Sequence, residues 1–238
     1  MALYIEAPLY LKFMSTVFTQ KPTLGKGIFT PSEIAKFLKL PTATINRWMK
    51  SYWDGEFVSQ AGHGASWKTN GSKAVDFLTM VEILVMGTMA EKGARTREIV
   101  KAHLVLSERY QTEHPFALKK VLNQIRTDGR KVYLDDDGII ISLDGTHQIN
   151  LDFIRVLFKN LEFGSDDLAS RYWPLGKEKA ILVDPKRKFG HPVIANKNIY
   201  PETIYGMVKA GDPPGFIAGI YNLTEQEVQD AIDYCTAA

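Results

Sequence analysis

The stretch from Thr30 to Lys50 constrains this chain more than any other. Thr30-Pro31-Ser32-Glu33 sets a hydroxyl at an N-cap, proline at the first helical position and glutamate at the third. That is a capping box with proline placed where its missing N–H does no harm, so a helix starts at Pro31. Its apolar residues Ile34, Ala35, Phe37 and Leu38 share one side, and the small Ala35 lets a second helix cross closely. Leu40-Pro41 marks a tight turn. Thr42 to Ser51 then reads as a second helix with Ile45, Trp48 and Met49 at i, i+3 and i+4 facing the core. Two short helices around such a turn form a helix-turn-helix arrangement.

The outward residues of the second helix are Thr42, Ala43, Thr44, Asn46, Arg47 and Lys50. Asn and Arg make bidentate contacts to adenine and guanine edges, Thr and Ala meet a thymine methyl, and Lys suits a phosphate. The set therefore points to double-stranded DNA as a partner. The Gly-rich stretch Asp54 to Ser72, with Phe57-Val58 and Ser66 to Thr69 as short strand-like pieces, reads as a wing whose Lys68 reaches the DNA backbone. The same residues also fit a small helical pair with a solvated face.

Val75 to Lys92 is apolar nearly all round and must lie in a core or against a second copy, which makes it a candidate for part of a homodimer interface. The next helix, Arg95 to Tyr110, turns Ile99, Ala102, His103 and Leu106 inward and Arg95, Arg97, Lys101 and Arg109 outward. Beyond residue 115 come a short helix at Leu118 to Ile125, a hairpin joining Lys131–Leu134 to Ile139–Ser142 through Asp135-Asp136-Asp137-Gly138, and an apolar helix at Leu151 to Leu161. The Asp run lacks the further carboxylates of a calcium loop.

At the C-terminus a strand at Ala180 to Val183 precedes helices at Pro201 to Ala210, Pro214 to Tyr221 and Glu225 to Tyr234, separated by Gly211 and Asn222. Thr224 and Glu227 form a second capping box, and Ile217, Ala218, Val228 and Ile232 pack between helices. This trio is also helix-turn-helix-like, but its charge is opposite. Residues 28–53 carry Lys36, Lys39, Arg47 and Lys50 against Glu33, whereas residues 200–238 carry Lys209 against Glu202, Asp212, Glu225, Glu227, Asp230 and Asp233. An acidic face is repelled by phosphates. The last helix, exposing Glu225, Glu227, Asp230 and Asp233, therefore reads as a protein-contact surface for dimerisation or a basic partner.

The expected fold class is thus mainly α with small β-hairpins: an arm at 1–27, a winged helix-turn-helix with a helical pair at 28–114, an α/β middle region at 115–175 and a helix-turn-helix-like module at 176–238. Five histidines without ligand spacing, no Gly-rich phosphate loop and one cysteine without a neighbouring base give no catalytic, metal or cofactor site, and the chain reads as a non-enzyme. The lone Cys235 fits a reducing compartment, Met1 to Met14 makes a poor signal peptide, and no segment is long enough to span a bilayer. These features together point to the cytoplasm.

Arg171-Tyr172-Trp173-Pro174-Leu175-Gly176, then Val183-Asp184-Pro185 through Phe189-Gly190-His191-Pro192-Val193-Ile194, then Ala210-Gly211-Asp212 ahead of Ile217-Ala218 and Tyr221 resemble the family called domain of unknown function 433. The order of elements from Ile28 to Tyr234 resembles its long form, in which a MerR-like winged helix-turn-helix precedes the domain, as in VapB-type antitoxins. The resemblance implies an antitoxin that neutralises a PIN-like ribonuclease toxin and represses its own operon. The alternative is a MerR-like regulator without a toxin, whose middle region senses a small ligand. Where the family continues Pro-Val-Ile with Gly-Thr-Arg-Ile, this chain has Asn196-Lys197-Asn198-Ile199. Asn can adopt the left-handed backbone that Gly would supply, which would preserve the turn.

Overall fold

The computed structural model describes residues 23–58, 64–69, 71–127, 132–136, 139–142 and 157–237. The arm from residue 1 to 22 lies outside the described residues. The protein is mainly helical, with small antiparallel sheets.

Helix α1 (Pro31–Leu38) starts as its capping box dictates: Thr30 Oγ1 accepts from Glu33 N–H, and Glu33 accepts from Thr30 N–H at 2.7 Å. It stops at Lys39, whose left-handed backbone (φ 53°) turns its own N–H back onto Ala35 and Lys36 carbonyls. Helix α2 (Thr42–Trp48) follows after Pro41. It does not end at Ser51 but continues as a π-helix, Met49–Glu56. Phe57 keeps helical dihedrals, so Phe57-Val58 is not strand-like. The reason is packing: Trp53 and Phe57, four apart, are both buried and meet edge to face, which a strand would place differently.

A hairpin, β1 (Trp67–Thr69) with β2 (Ser72–Ala74), follows in the register Trp67 to Ala74. Helix α3 (Phe77–Glu91) begins at Asp76, whose carboxylate accepts from Thr79 N–H at 2.9 Å. Helix α4 (Thr96–Tyr110) carries Ile99, Ala102, His103 and Leu106 inward as its periodicity required. Next come a 3-10 turn (Pro115–Ala117) and α5 (Lys119–Gln124). The three-stranded sheet β3 (Ile125–Thr127), β4 (Val132–Asp136) and β5 (Ile139–Ser142) contains the expected hairpin, with strand pairing running on through Asp136 opposite Ile139. Asp137 and Gly138 lie outside the described residues.

Of the expected helix Leu151 to Leu161, residues 157–159 are helical and 151–156 lie outside the described residues. Leu161 itself opens β6 (Leu161–Phe163), which pairs with β7 (Ala169–Tyr172), a hairpin the sequence did not announce. β8 (Ile181–Leu182) and β9 (Val193–Ile194) pair antiparallel around a 3-10 turn (Lys188–Gly190). The chain closes with α6 (Pro201–Ala210), α7 (Pro214–Tyr221) and α8 (Glu225–Ala237), separated by left-handed Gly211 and Asn222.

Two apolar cores result. The larger spans Phe29 to Val183 and is threaded by α3, and the smaller joins Ile181, Ile194, Ile204, Ile217, Val228 and Ala231. From Phe77 to Met89 nearly every side chain of α3 is buried within this one chain. Of the two expected placements the core is the one found, and the candidate role in a dimer interface is corrected: α1, α4 and the 3-10 turn pack against its apolar sides. The close crossing of α1 falls at Gly87 of α3, where an added Cβ would lie 2.7 Å from the Leu38 methyl carbons. Ala35 alone did not predict that position.

Candidate functional site

The face predicted to meet DNA is built on α2. Ile45 and Trp48 are buried with Met49, which points the rest of the helix outward. Thr42, Ala43, Asn46, Arg47 and Lys50 are exposed, and Thr44 is half-buried. Asn46 Nδ2 donates to the Thr42 carbonyl at 3.2 Å, one turn back, a bond that uses one of its two N–H groups and leaves Oδ1 to accept. Lys68 is exposed on β1.

One residue braces helix and hairpin together. The Asp54 carboxylate, on the π-helical extension of α2, accepts from Ser66 N–H at 3.0 Å and Ser66 Oγ–H at 2.6 Å, and it pairs with Lys73 Nζ at 2.6 Å. Ala65 N–H adds a bond to the Trp53 carbonyl. The approach to the hairpin thus hangs from the end of the α2 segment. Arg95, Arg97 and Lys101 are exposed on the α4 side, with Lys101 paired to Glu98 at 3.3 Å.

The acidic C-terminal face needs correction. Asp230 is 2% exposed, not presented to a partner: it accepts from Lys179 Nζ at 2.9 Å, Ala180 N–H at 2.9 Å and Gln226 Nε2 at 2.8 Å. Burial works against its charge, but these donors outweigh it and hold the carboxyl below its ordinary range. Asp233 is half-buried, hydrogen-bonded by Gln229 and tied to Lys179 at 3.0 Å. Glu227 is the capping residue for Thr224, accepting its N–H at 2.8 Å. Glu225 remains exposed, and an added Cβ on Gly215 would lie 3.2 Å from its Oε1, which sets Glu225 beside the start of α7. There Phe216 and Ile220 are 58% and 54% exposed. A tally of charges by sequence position had no means of locating Lys179, some fifty residues upstream.

The largest omission from the sequence reading is Glu82, in the middle of α3 and fully buried. Its Oε2 accepts from Trp53 Nε1–H at 3.2 Å and bonds His103 Nε2 at 2.9 Å, while Oε1 accepts from Phe116 N–H at 3.1 Å. His114 Nδ1 stands 3.8 Å from the same carboxylate. Burial would raise the pKa of Glu82, but the charge and hydrogen bond of His103, with His114 close by, prevail and push it down to about 2. Burial likewise opposes the charge of His114, yet Glu82 holds it above its ordinary value. His103 is clasped by rings, stacked on Phe57 at 3.8 Å and edge-on to Phe116 at 5.2 Å. The available signal was a carboxylate in the apolar middle of a helix, which must find partners to be buried.

A third cluster joins α1 to the C-terminal module. His191 lies between Glu33 of α1, at 3.5 Å, and Glu202 of α6, at 3.7 Å. The flanking carboxylates, Glu202 and then Glu33, raise its pKa to about 9. Nearby, Ile28 N–H donates to the Phe189 carbonyl at 2.8 Å, and Gly190 presses on the buried Phe29 ring. In the turn where Asn196 and Asn198 could have gone left-handed, neither does; positive φ values fall earlier, at Lys188, Phe189 and Gly190. Arg187 fixes that turn instead, donating to the Ala195 and Lys197 carbonyls at 2.6 Å each and to Asn198 Oδ1 at 2.9 Å. The Arg171 motif is structural in the same way, its Nε pairing with the buried Asp184 at 3.0 Å. Among the described residues no helix is long and apolar enough to cross a membrane.

Residues 181–235 match the family model described as "Protein of unknown function (DUF433)". Over most of its length the chain is similar to two proteins of Mycobacterium tuberculosis. "Uncharacterized protein Rv2308" is 27% identical over 224 residues, covering 89% of this chain and 91% of that protein. "Putative antitoxin VapB45" is 22% identical over 227 residues, covering 88% and 94%. The X-ray crystal structure of Rv2018 from the same organism superposes with a TM-score of 0.64 at 17% identity, over 86% of this chain and 96% of that one, which shows a shared fold. The family model thus matches the C-terminal module alone, and the likeness over most of the chain extends to a protein named as a putative antitoxin.

Proposed function

We propose that the protein is an antitoxin that binds operator DNA through the α2 face and holds a toxin, expected to be a PIN-like ribonuclease, elsewhere on its surface. One observation carries the DNA half. Asn46 and Arg47 of α2 and Lys50 at the start of its π-helical continuation are exposed with no acid among them, and that continuation is braced to the β1–β2 hairpin by Asp54. Such a helix-and-hairpin unit suits a major groove, with Lys68 reaching backbone phosphate. Two copies bound as a symmetric dimer would let paired half-sites act together.

The toxin half rests on the likeness to a named antitoxin. Glu225 with the exposed Phe216 and Ile220 of α7 is the expected contact, replacing the wider acidic face that Asp230 and Asp233 do not present.

A mobility-shift titration on the DNA upstream of the gene tests the first half. Arg47→Ala should weaken specific binding by about 1–3 kcal/mol, the worth of a bidentate base contact. Lys50→Ala should lower affinity for every sequence and flatten its salt dependence. If neither substitution changes binding, α2 is not the reader. Co-purification with the neighbouring gene product tests the second: Phe216→Ser with Ile220→Ser should release it while DNA binding persists, and failure of the unsubstituted protein to form any complex refutes the antitoxin reading.

A further inference from the structure

A cavity of 280 Å³ opens where the start of α3, the turn between β6 and β7 and the Pro185-Lys186 segment meet the loop at Gly25 and Lys26. Its volume is close to the lower end of small-molecule sites. Four charged side chains line it, two of each sign: Lys26 and Lys186, Asp76 and Asp166.

The main chain holds each of the four in place. Lys26 stands between the left-handed Gly25 and Gly27, and its carbonyl accepts from Phe77 N–H at 2.8 Å. Lys186 N–H donates to Asp184 Oδ1 at 2.9 Å. Asp76 Oδ1 accepts from Thr79 N–H at 2.9 Å, and Asp166 Oδ1 accepts from Leu168 N–H at 3.2 Å. The opposite charges nevertheless do not pair across the cavity. Among the described residues neither ammonium group and neither Oδ2 atom makes a hydrogen bond or ion pair, and the hydroxyls of Ser165 and Ser170 are likewise unpartnered.

This balance decides the class of ligand. A simple cation entering the cavity meets two ammonium groups, and a simple anion meets two carboxylates. A molecule carrying both charges finds its complement for each. Phe77, Leu78 and Leu168 add an apolar wall.

We infer that this cavity is a binding site for a free α-amino acid with an apolar side chain. Its carboxylate faces Lys26 and Lys186, its ammonium group faces Asp166 and Asp76, and its side chain lies against Phe77 and Leu78. An occupant there touches the cap of α3 and the segment that leads into the turn beneath Phe29.

Calorimetric titration of the full chain, without DNA, with three probes of one carbon skeleton tests the site independently of any DNA or toxin reading. L-Leucine should bind saturably with a Kd on the order of 1 mM or below. 3-Methylbutylamine, which lacks the carboxylate, and 4-methylpentanoate, which lacks the ammonium group, should each bind at least about tenfold more weakly. Lys26→Gln with Lys186→Gln, both at exposed positions, should remove the preference for leucine over the amine. Asp166→Asn, which keeps an oxygen for Leu168 N–H, should narrow the preference over 4-methylpentanoate. Ser170→Phe, which fills the cavity, should abolish leucine binding while leaving the far-ultraviolet circular dichroism unchanged. No leucine binding, equal affinity for the three probes, or leucine binding indifferent to all these substitutions would overturn the inference.

Discussion

Glu82→Gln is the sharpest test of how this core is organised. The carboxylate is fully buried and meets three donors, from Trp53, His103 and the Phe116 backbone. Glutamine keeps the shape and one acceptor oxygen, but its amide nitrogen must face at least one of those donors. Hydrogen bonds to a charged acceptor contribute roughly 1.5–3 kcal/mol each, and a buried donor left unmet costs roughly 1–3 kcal/mol. The substitution should therefore destabilise by about 3–5 kcal/mol, the range seen when one member of a buried ion pair is removed. For a chain of this size that corresponds to a Tm lower by roughly 10 °C.

Proton linkage gives a second, independent reading of the same site. The folded pKa is depressed from 4.5 to about 2. At about 1.4 kcal/mol per unit that is a contribution of about 3 kcal/mol. The sign is fixed by the direction of the shift: the contribution is complete above pH 4.5 and is lost as pH falls toward 2. Urea unfolding of both proteins at a series of pH values should show a wide stability gap near neutrality that narrows below pH 4.5. A gap under about 1 kcal/mol at neutral pH, or one that stays constant into acid, refutes the reasoning.

The junction of α1 with the C-terminal module titrates in the opposite sense. His191 has its pKa raised from 6.5 to about 9, so its contribution is complete below pH 6.5 and lost as pH climbs through 9; the unfolding midpoint should fall across that window and do so less in His191→Gln. Gly190→Ala combines a left-handed backbone (φ 86°) with a Cβ driven into the Phe29 ring, and should cost about 2–5 kcal/mol in denaturant unfolding. Asp230→Ala strips partners from Lys179, Ala180 N–H and Gln226, and hydrogen exchange should report an opening of the C-terminal module easier by about 2 kcal/mol or more. Should Asp230→Ala instead abolish toxin capture with stability unchanged, its assignment as a buried structural group would be wrong.

Much of the framework was legible because its signals are local. The capping boxes at Thr30 and Thr224, the stops at Gly211 and Asn222, and the inward sets of α2 and α4 each depend on residues within one or two helical turns, so the sequence by itself determined where those helices lie and which side of each is buried. Hydrophobic burial follows the same local periodicity. It also settled that α3 had to be buried, though not by what: its cover comes from elements on either side of it in the chain, and only their packing distinguished a monomer core from a subunit interface. Charge behaved differently. Whether a carboxylate is a solvated surface group or a paired interior one depends on partners far along the chain, 51 residues away for Lys179 and Asp230 and 34 for Glu82 and Phe116. An ion's energy is set by its surroundings rather than by its neighbours in sequence. Tertiary structure therefore decided that Asp230 is buried, that Glu82 anchors α3, and that His191 links α1 to α6.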